Sequence, residues 1–267
     1  MENILIVIQA RMSSTRLPGK VLLPLLGKPL ITRMIERVFK TSYNATVVVA
    51  TTIEPEDDVI EQLCKENNWE VFRGDKADLL DRHYQAAKKY NADIILKIPS
   101  DCPLIDSAII DKVLGFFLAN KANYDYVSNL HPASYPDGND VEVMNIKALK
   151  EAWENASKKM EREHTTPYFW ENADKFRIGN VSWETGLDYS MSHRWTIDYP
   201  EDYTFIKEIF ETLYPSNQLF SLNDILNLLE QKPELNKINS ELTGVNWYRN
   251  HLGELKTIDK SQTKILN

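Results

Sequence analysis

The stretch Gln9-Ala-Arg-Met-Ser-Ser-Thr-Arg-Leu-Pro-Gly-Lys20 concentrates Arg11, Arg16 and Lys20 beside the hydroxyls of Ser13, Ser14 and Thr15. Small residues let backbone N–H groups approach a phosphate, arginine can grip two of its oxygens, and lysine acts as a compact positive charge. The chemistry this suits is the binding of a phosphate-bearing polyanion; the plainer alternative is an exposed basic loop with no special role. Two familiar phosphate loops do not fit. A Walker A loop needs glycine five residues before its Gly-Lys pair and a hydroxyl residue after it, and Ser14 and Val21 hold those places. The G-x-G-x-x-G dinucleotide fingerprint is absent as well.

Two aspartates occupy comparable positions much further along. Asp101 follows the apolar run Ile94–Ile98 by way of Pro99 and Ser100, and Asp198 follows Arg194–Ile197 just ahead of Pro200. Triphosphate chemistry near neutral pH uses Mg²⁺ held by one or two carboxylates together with phosphate oxygens and water, which makes Asp101 and Asp198 candidate metal ligands. The alternative is that both are helix N-caps, the commonest use of Asp before a helix.

Bringing these groups together requires an open α/β sheet. Ile4–Ile8 reads as a buried first strand, so the basic loop leaves it at the carboxyl edge, where such sheets bind ligands. Ile31, Met34, Ile35, Val38 and Phe39 then recur at helical spacing from about Pro29. Residues 46–50, 69–72 and 94–98 read as further strands, and residues 56–66, 77–90 and 107–118 as helices, the first with Val59, Ile60, Leu63 and Cys64 on one side. Continuous apolar strands separated by helices predict a mostly parallel sheet covered on both faces. The second half changes character. Strands are expected at 124–128 and 141–144 around a turn-rich loop, helices at 146–156 and 161–171, strands at 176–181 and 194–197, and a helix at 200–214. Beyond Leu222 the chain is helical, then polar, and residues 258–267 are expected to fray.

Composition narrows the class. With 267 residues and 43% hydrophobic content the chain can build one large domain, or one with an appendage. No run approaches the roughly 18–20 apolar residues of a membrane span, and the start lacks a basic leader, so a cytoplasmic location is the expectation. Two cysteines, Cys64 and Cys102, suggest neither a disulfide framework nor a zinc site. A net charge of -8 argues against nucleic-acid binding. That total hides a local reversal: residues 3–40 carry seven basic side chains against the single acid Glu36, which suits a compact polyanion.

The opening motif, continued by Val21 and by Gly27-Lys28-Pro29-Leu30, resembles the signature of the cytidylyltransferases, which include the CMP-3-deoxy-manno-octulosonate and CMP-sialate synthetases. The likeness runs through Arg73-Gly74-Asp75, Ser100-Asp101-Cys102-Pro103-Leu104-Ile105, Tyr135-Pro136-Asp137-Gly138 and Arg194-Trp195-Thr196-Ile197-Asp198-Tyr199-Pro200-Glu201-Asp202. It is nearest to the branch named for spore coat polysaccharide biosynthesis protein F. The resemblance implies a three-layer, Rossmann-like nucleotide-diphospho-sugar transferase fold with a smaller acceptor-binding subregion. It also implies transfer of CMP from CTP to a small sugar-like acceptor with release of pyrophosphate. Catalytic roles fall on Arg11, Lys20 and Asp101. Nucleotide contacts come from Gln9, Ala10, Arg11, Ser13, Ser14, Arg16, Lys20, Ser100 and Asp101, and Mg²⁺ is held by Asp101 and Asp198. One departure stands out. The better-characterised synthetases carry a glutamine-containing stretch before the fourth-strand aspartate, where this chain has Ile98-Pro99-Ser100, so their acceptors do not transfer.

The family binds its acceptor in the second half, which points to Asp140, Glu142, His164 and Arg194. Each has an ordinary alternative as edge-strand charge, helix cap or surface ion pair. The expected division is residues 1–215 as the transferase domain (1–120 for the nucleotide, 121–215 for the acceptor) and 216–267 as a C-terminal extension. The region past Leu222, with Trp247-Tyr248, either covers the sheet or forms a contact in a homodimer. Two competing functions remain. A glycosyltransferase on a similar scaffold typically carries Asp-x-Asp, which this chain lacks, with Pro103 standing two residues after Asp101. A non-catalytic nucleotide-binding subunit is opposed by the intact set of Arg11, Lys20, Asp101 and Asp198.

Overall fold

The computed structural model describes residues 2–266. A seven-stranded sheet forms the middle layer: β1 (Ile4–Gln9), β2 (Thr46–Thr52), β3 (Glu70–Gly74), β4 (Ile94–Pro99), β5 (Tyr126–Ser128), β6 (Glu142–Asn145) and β7 (Ile178–Asn180). Their order is β3-β2-β1-β4-β6-β5-β7, parallel except that β6 runs against both its neighbours. The predicted α/β class and mostly parallel sheet are therefore as observed.

Both faces of β1 are buried because successive side chains point to opposite sides. Leu5 and Val7 pack with Ala87, Leu149 and Phe169, whereas Ile6 and Ile8 pack with Ile31, Ile110 and Phe205. Helices α1 (Leu30–Val38), α2 (Asp58–Glu66), α4 (Ser107–Ala119), α8 (Pro200–Leu213) and α9 (Leu222–Gln231) supply apolar faces to the second of these cores. Helices α3 (Leu79–Lys89), α5 (Ile146–Asn155), α6 (Lys159–His164) and α7 (Pro167–Trp170) supply the other. Three layers result.

Several expected elements differ. The helix predicted over 161–171 is two short helices, broken at Thr165, whose φ of 71° no α-helix accommodates. His164 accordingly ends α6 instead of starting a helix. Residues 194–197 are not a ladder strand; only Arg194 makes a bridge, to Asp137, because the segment's bonds go to two loops instead. Asp140 lies outside β6, which begins at Glu142. Phe39 and Val59 are 48% and 44% exposed, on the solvent side of the helical stripes that suggested burial. Ile258 and Thr263 are buried, and Lys264 N donates to Gly244 O at 2.7 Å, so residues 258–264 are held down where fraying was expected, while Ile265 and Leu266 are exposed. Asn267 lies outside the described residues. Among the described residues no helix is long and apolar enough to cross a membrane.

Candidate active site

The basic loop is closed by its own backbone. Met12 O accepts from both Ser14 N and Gly19 N at 2.9 Å, and Gly19 makes that closure with a φ of 70° that favours glycine. A buried aspartate, Asp57, pins the entrance by accepting from Met12 N at 2.7 Å while also binding Thr52. Lys20 begins the short 3₁₀ turn that follows. Among the described residues the N–H groups of Ser13, Thr15 and Arg16 have no acceptor, and the buried Gln9 Oε1 and Ser13 Oγ have no partner. Unsatisfied donors and acceptors along one loop are what a phosphate ligand with its waters would satisfy.

The two distant aspartates meet at Lys20. Its Nζ lies 2.9 Å from Asp198 Oδ1 and 3.6 Å from Asp101 Oδ2, and donates to Ile197 O at 2.7 Å. Arg16 Nη2 reaches the same Asp198 oxygen at 2.6 Å. Burial pushes the Asp198 carboxyl up, but Lys20 and Arg16 outweigh it and hold the group below the usual range. Arg11 occupies another flank, where its positive charge adds to the burial that lowers Arg82 to about 10. Neither aspartate caps a helix. Asp106 caps α4, accepting from Ala108 N at 2.9 Å, while Asp202 accepts from Asp198 N and Tyr199 N at the start of α8.

A layer of remote contacts fixes these positions. Ser100 N donates to Gln9 O at 3.2 Å, tying β4's exit to β1's. Asp101 O accepts from Ile197 N at 2.9 Å and Thr196 Oγ1 at 3.0 Å. Asp137 binds the same segment from the other side, with Trp195 N donating to its carbonyl at 2.7 Å. Gly138 has a φ of 113°, and a Cβ there would fall 2.6 Å from the Trp195 carbonyl carbon, so glycine alone permits this approach. Arg194 runs behind the site, 1% exposed, donating Nε and Nη2 to the two oxygens of Asp202 at 2.8 and 2.9 Å and Nη1 to Val245 O at 2.6 Å. Asp202 thus orients both the guanidinium and the backbone that presents Asp198.

The residues expected on the acceptor side, with their neighbours, occupy three kinds of environment. Asp140 faces the rim: burial, reinforced by the negative charge of Asp101, raises its carboxyl to about 7. Asp137 is raised well above the usual range by burial and by Asp140, with Arg194 opposing. Glu142 lies beneath, ion-paired with the buried Lys97 across the β4–β6 register and accepting from Tyr126 OH at 2.5 Å. His164 stacks on Trp247 at 3.8 Å; burial lowers it to about 3 and keeps the imidazole neutral. His131, Trp170 and Tyr248 continue this aromatic wall.

Asp57, Asp137 and Asp202 escaped selection from sequence. Asp202, in the first turn after Pro200, carried an N-terminal helix signal, and Asp137 lay inside a quoted motif; for Asp57 only the fold supplies a reason. A groove of about 410 Å³ at the opposite edge of the sheet, lined by Glu2, Asp93, Lys121 and Lys147 among others, has no comparable convergence.

The model of the family described as "Cytidylyltransferase" matches residues 5–234. The chain belongs to the cytidylyltransferase family. It is therefore a nucleotidyltransferase by descent, on the fold its strand order indicates. The solved cytidylyltransferase of Leptospira borgpetersenii serovar Hardjo-bovis is 36% identical, covers 88% of this chain and 97% of its own, and superposes with a TM-score of 0.83. An uncharacterised protein of Methanocaldococcus jannaschii is 36% identical over 88% of this cytidylyltransferase and 94% of its own length. The spore coat polysaccharide biosynthesis protein SpsF of Bacillus subtilis is 29% identical over 88% and 97%.

Proposed function

We propose that this cytidylyltransferase transfers CMP from CTP to a sugar acid or related small acceptor, with Mg²⁺, in the synthesis of a surface polysaccharide. The observation that carries the reading is the convergence of Asp101 and Asp198 on Lys20, with a loop of unpartnered N–H groups alongside. The spore coat relative supports the polysaccharide context.

The donor set fits a hard divalent cation. Asp101 Oδ1 receives only the Cys102 thiol at 3.7 Å, leaving its carboxylate open, and the raised carboxyls of Asp137 and Asp140 add oxygens nearby that a bound cation would draw into the ionised form. Among the described residues no cluster of three or more ligating side chains occurs, so Asp101 and Asp198 would hold Mg²⁺ together with substrate oxygens. When bound, the ion draws charge from the phosphates.

The chain's own residues do the rest. The acceptor oxygen attacks the α-phosphorus in line, forming a new P–O bond while the bond to the β-phosphate oxygen breaks and pyrophosphate leaves. Lys20, Arg16 and Arg11 neutralise the charge that gathers on the leaving group, and the loop N–H groups orient it. Asp140 and the aromatic wall of His131, Trp170 and Tyr248 line the acceptor side, with hydroxyl-binding and ring-stacking character respectively. Glu142, His164 and Arg194 support this surface, through Lys97, Trp247 and Asp202.

The test is pyrophosphate release with Mg²⁺, each NTP in turn, and a panel of sugar acids, sugar phosphates and phosphonates. CTP-dependent, acceptor-dependent pyrophosphate is the expected result. A nucleoside diphosphate product would make the protein a glycosyltransferase, and no product with any pair would make it a non-catalytic binding subunit.

A further inference from the structure

The family match ends at residue 234, yet the chain beyond it returns to the rim. Asn239 Nδ2 donates to Arg194 O at 2.9 Å and Asp202 Oδ1 at 3.0 Å, and Val245 O accepts from Arg194. Further on, Lys256 N and Thr257 N donate to Glu171 at 2.7 and 2.9 Å, and Leu255 and Ile258 are buried. Between these anchors the 3₁₀ turn Trp247–Asn250 is stacked down through Trp247 on His164. The segment is therefore a fixed strap.

We propose that Arg249, carried by this strap, is an oxyanion-binding residue of the site. Its Nη2 donates to Tyr199 OH at 3.0 Å, whereas its Nη1 is buried and has no partner. Among the described residues it forms no ion pair, although many other arginines of the chain lie against a carboxylate. Tyr199 directly follows Asp198, and the Arg16 guanidinium lies 5.7 Å from the centre of its ring. Arg194 lies 5.9 Å from the same ring centre, so three guanidiniums surround one phenol beside the metal-binding aspartate, and among the described residues Arg249 is the one of the three without a carboxylate. A buried guanidinium N–H without an acceptor is satisfied best by an anionic oxygen, and a pair of guanidiniums suits phosphate or carboxylate. The oxyanion is a phosphate of the nucleotide or the acid group of the acceptor.

The inference rests on the transferase reading, and the experiment separates the two. Arg249→Gln, Arg249→Lys and the wild type are titrated calorimetrically with CTP plus Mg²⁺, with inorganic pyrophosphate, and with glucuronate as a carboxylate probe on the CTP-loaded protein. Melting temperatures are recorded alongside. In R249Q a loss of about tenfold in affinity for CTP and pyrophosphate assigns the oxyanion to the nucleotide; the same loss for glucuronate alone assigns it to the acceptor. R249K is expected to recover part of either loss, because it keeps the charge and not the fork. All constants within about twofold of wild type would overturn the inference, whether or not the melting temperature falls. Such a result beside normal CTP-dependent turnover leaves the transferase reading intact. Arg249-dependent pyrophosphate binding in a protein without turnover would do the reverse.

Discussion

The loop from Gln9 to Lys20 and the segment from Arg194 to Asp198 meet at one rim but are held there differently. The loop folds on itself: Met12 closes it and Gly19 turns it, with Asp57 anchoring its entrance and Lys20 and Arg16 reaching Asp198 from its end. The Asp198 segment has no comparable closure of its own. Asp101, Asp137, Asp202 and the C-terminal strap each grip it. The proposed phosphate binding would therefore lie in one continuous stretch, whereas the position of the second aspartate depends on the whole molecule. Damage to the loop should remove binding and spare the fold; damage behind Asp198 should do both.

The sharpest way to break that comparison is Arg194→Met. It strands the fully buried Asp202 without its cationic partner and should cost about 3–5 kcal/mol in urea unfolding. Nucleotide affinity should fall with it, because Asp202 also holds the Asp198 backbone. Lys20→Met is the counterpart in the loop. Turnover should drop roughly 100- to 1,000-fold while the unfolding midpoint moves less than in Arg194→Met, since Arg16 stays on Asp198 when Lys20 is lost. Equal stability losses in the two variants would erase the distinction.

Gly138→Ala tests the tightest join between the regions. The added Cβ must push back the Trp195–Thr196 backbone, at an expected cost of about 1–3 kcal/mol, with weakened metal-dependent nucleotide binding. The effect smallest near neutral pH concerns His83, which is fully buried. Burial lowers its imidazole to about 3, even though the bond to Leu79 O opposes this. The folded value lies below the unfolded one, so the unfolded chain takes up the proton first. Stability is thus complete above about pH 6.5 and is lost as pH falls toward about 3, by about 1.4 kcal/mol per unit for one such group. Melting curves at successive pH values should show a slope to which the buried His131 and His164 also contribute, and His83→Asn should reduce it by one group's share.

The same difference in construction explains what could be read from residue order alone. The loop was legible because its cations, hydroxyls and glycine are neighbours in the chain and follow an apolar strand. Ile4–Gln9, Thr46–Thr52 and Ile94–Pro99 were legible because both their faces are apolar. Arg194–Ile197 resembled a strand, but its backbone groups bind Asp137 and Asp101, which no local pattern reveals. Arg194 looked like an acceptor ligand, although Asp202 holds it, eight residues on and on a different element. The packed C-terminus has the same origin. Glu171 binds residues 256 and 257 from 85 and 86 positions away, and only tertiary structure supplies such a partner.

The most direct test of the convergence is Asp101→Asn, measured as pyrophosphate released from CTP across a Mg²⁺ titration, with melting temperature as the fold control. A fall of roughly 1,000-fold at every Mg²⁺ concentration, with melting unchanged, is the predicted result. A variant that keeps the wild-type rate and the wild-type Mg²⁺ dependence would contradict the account.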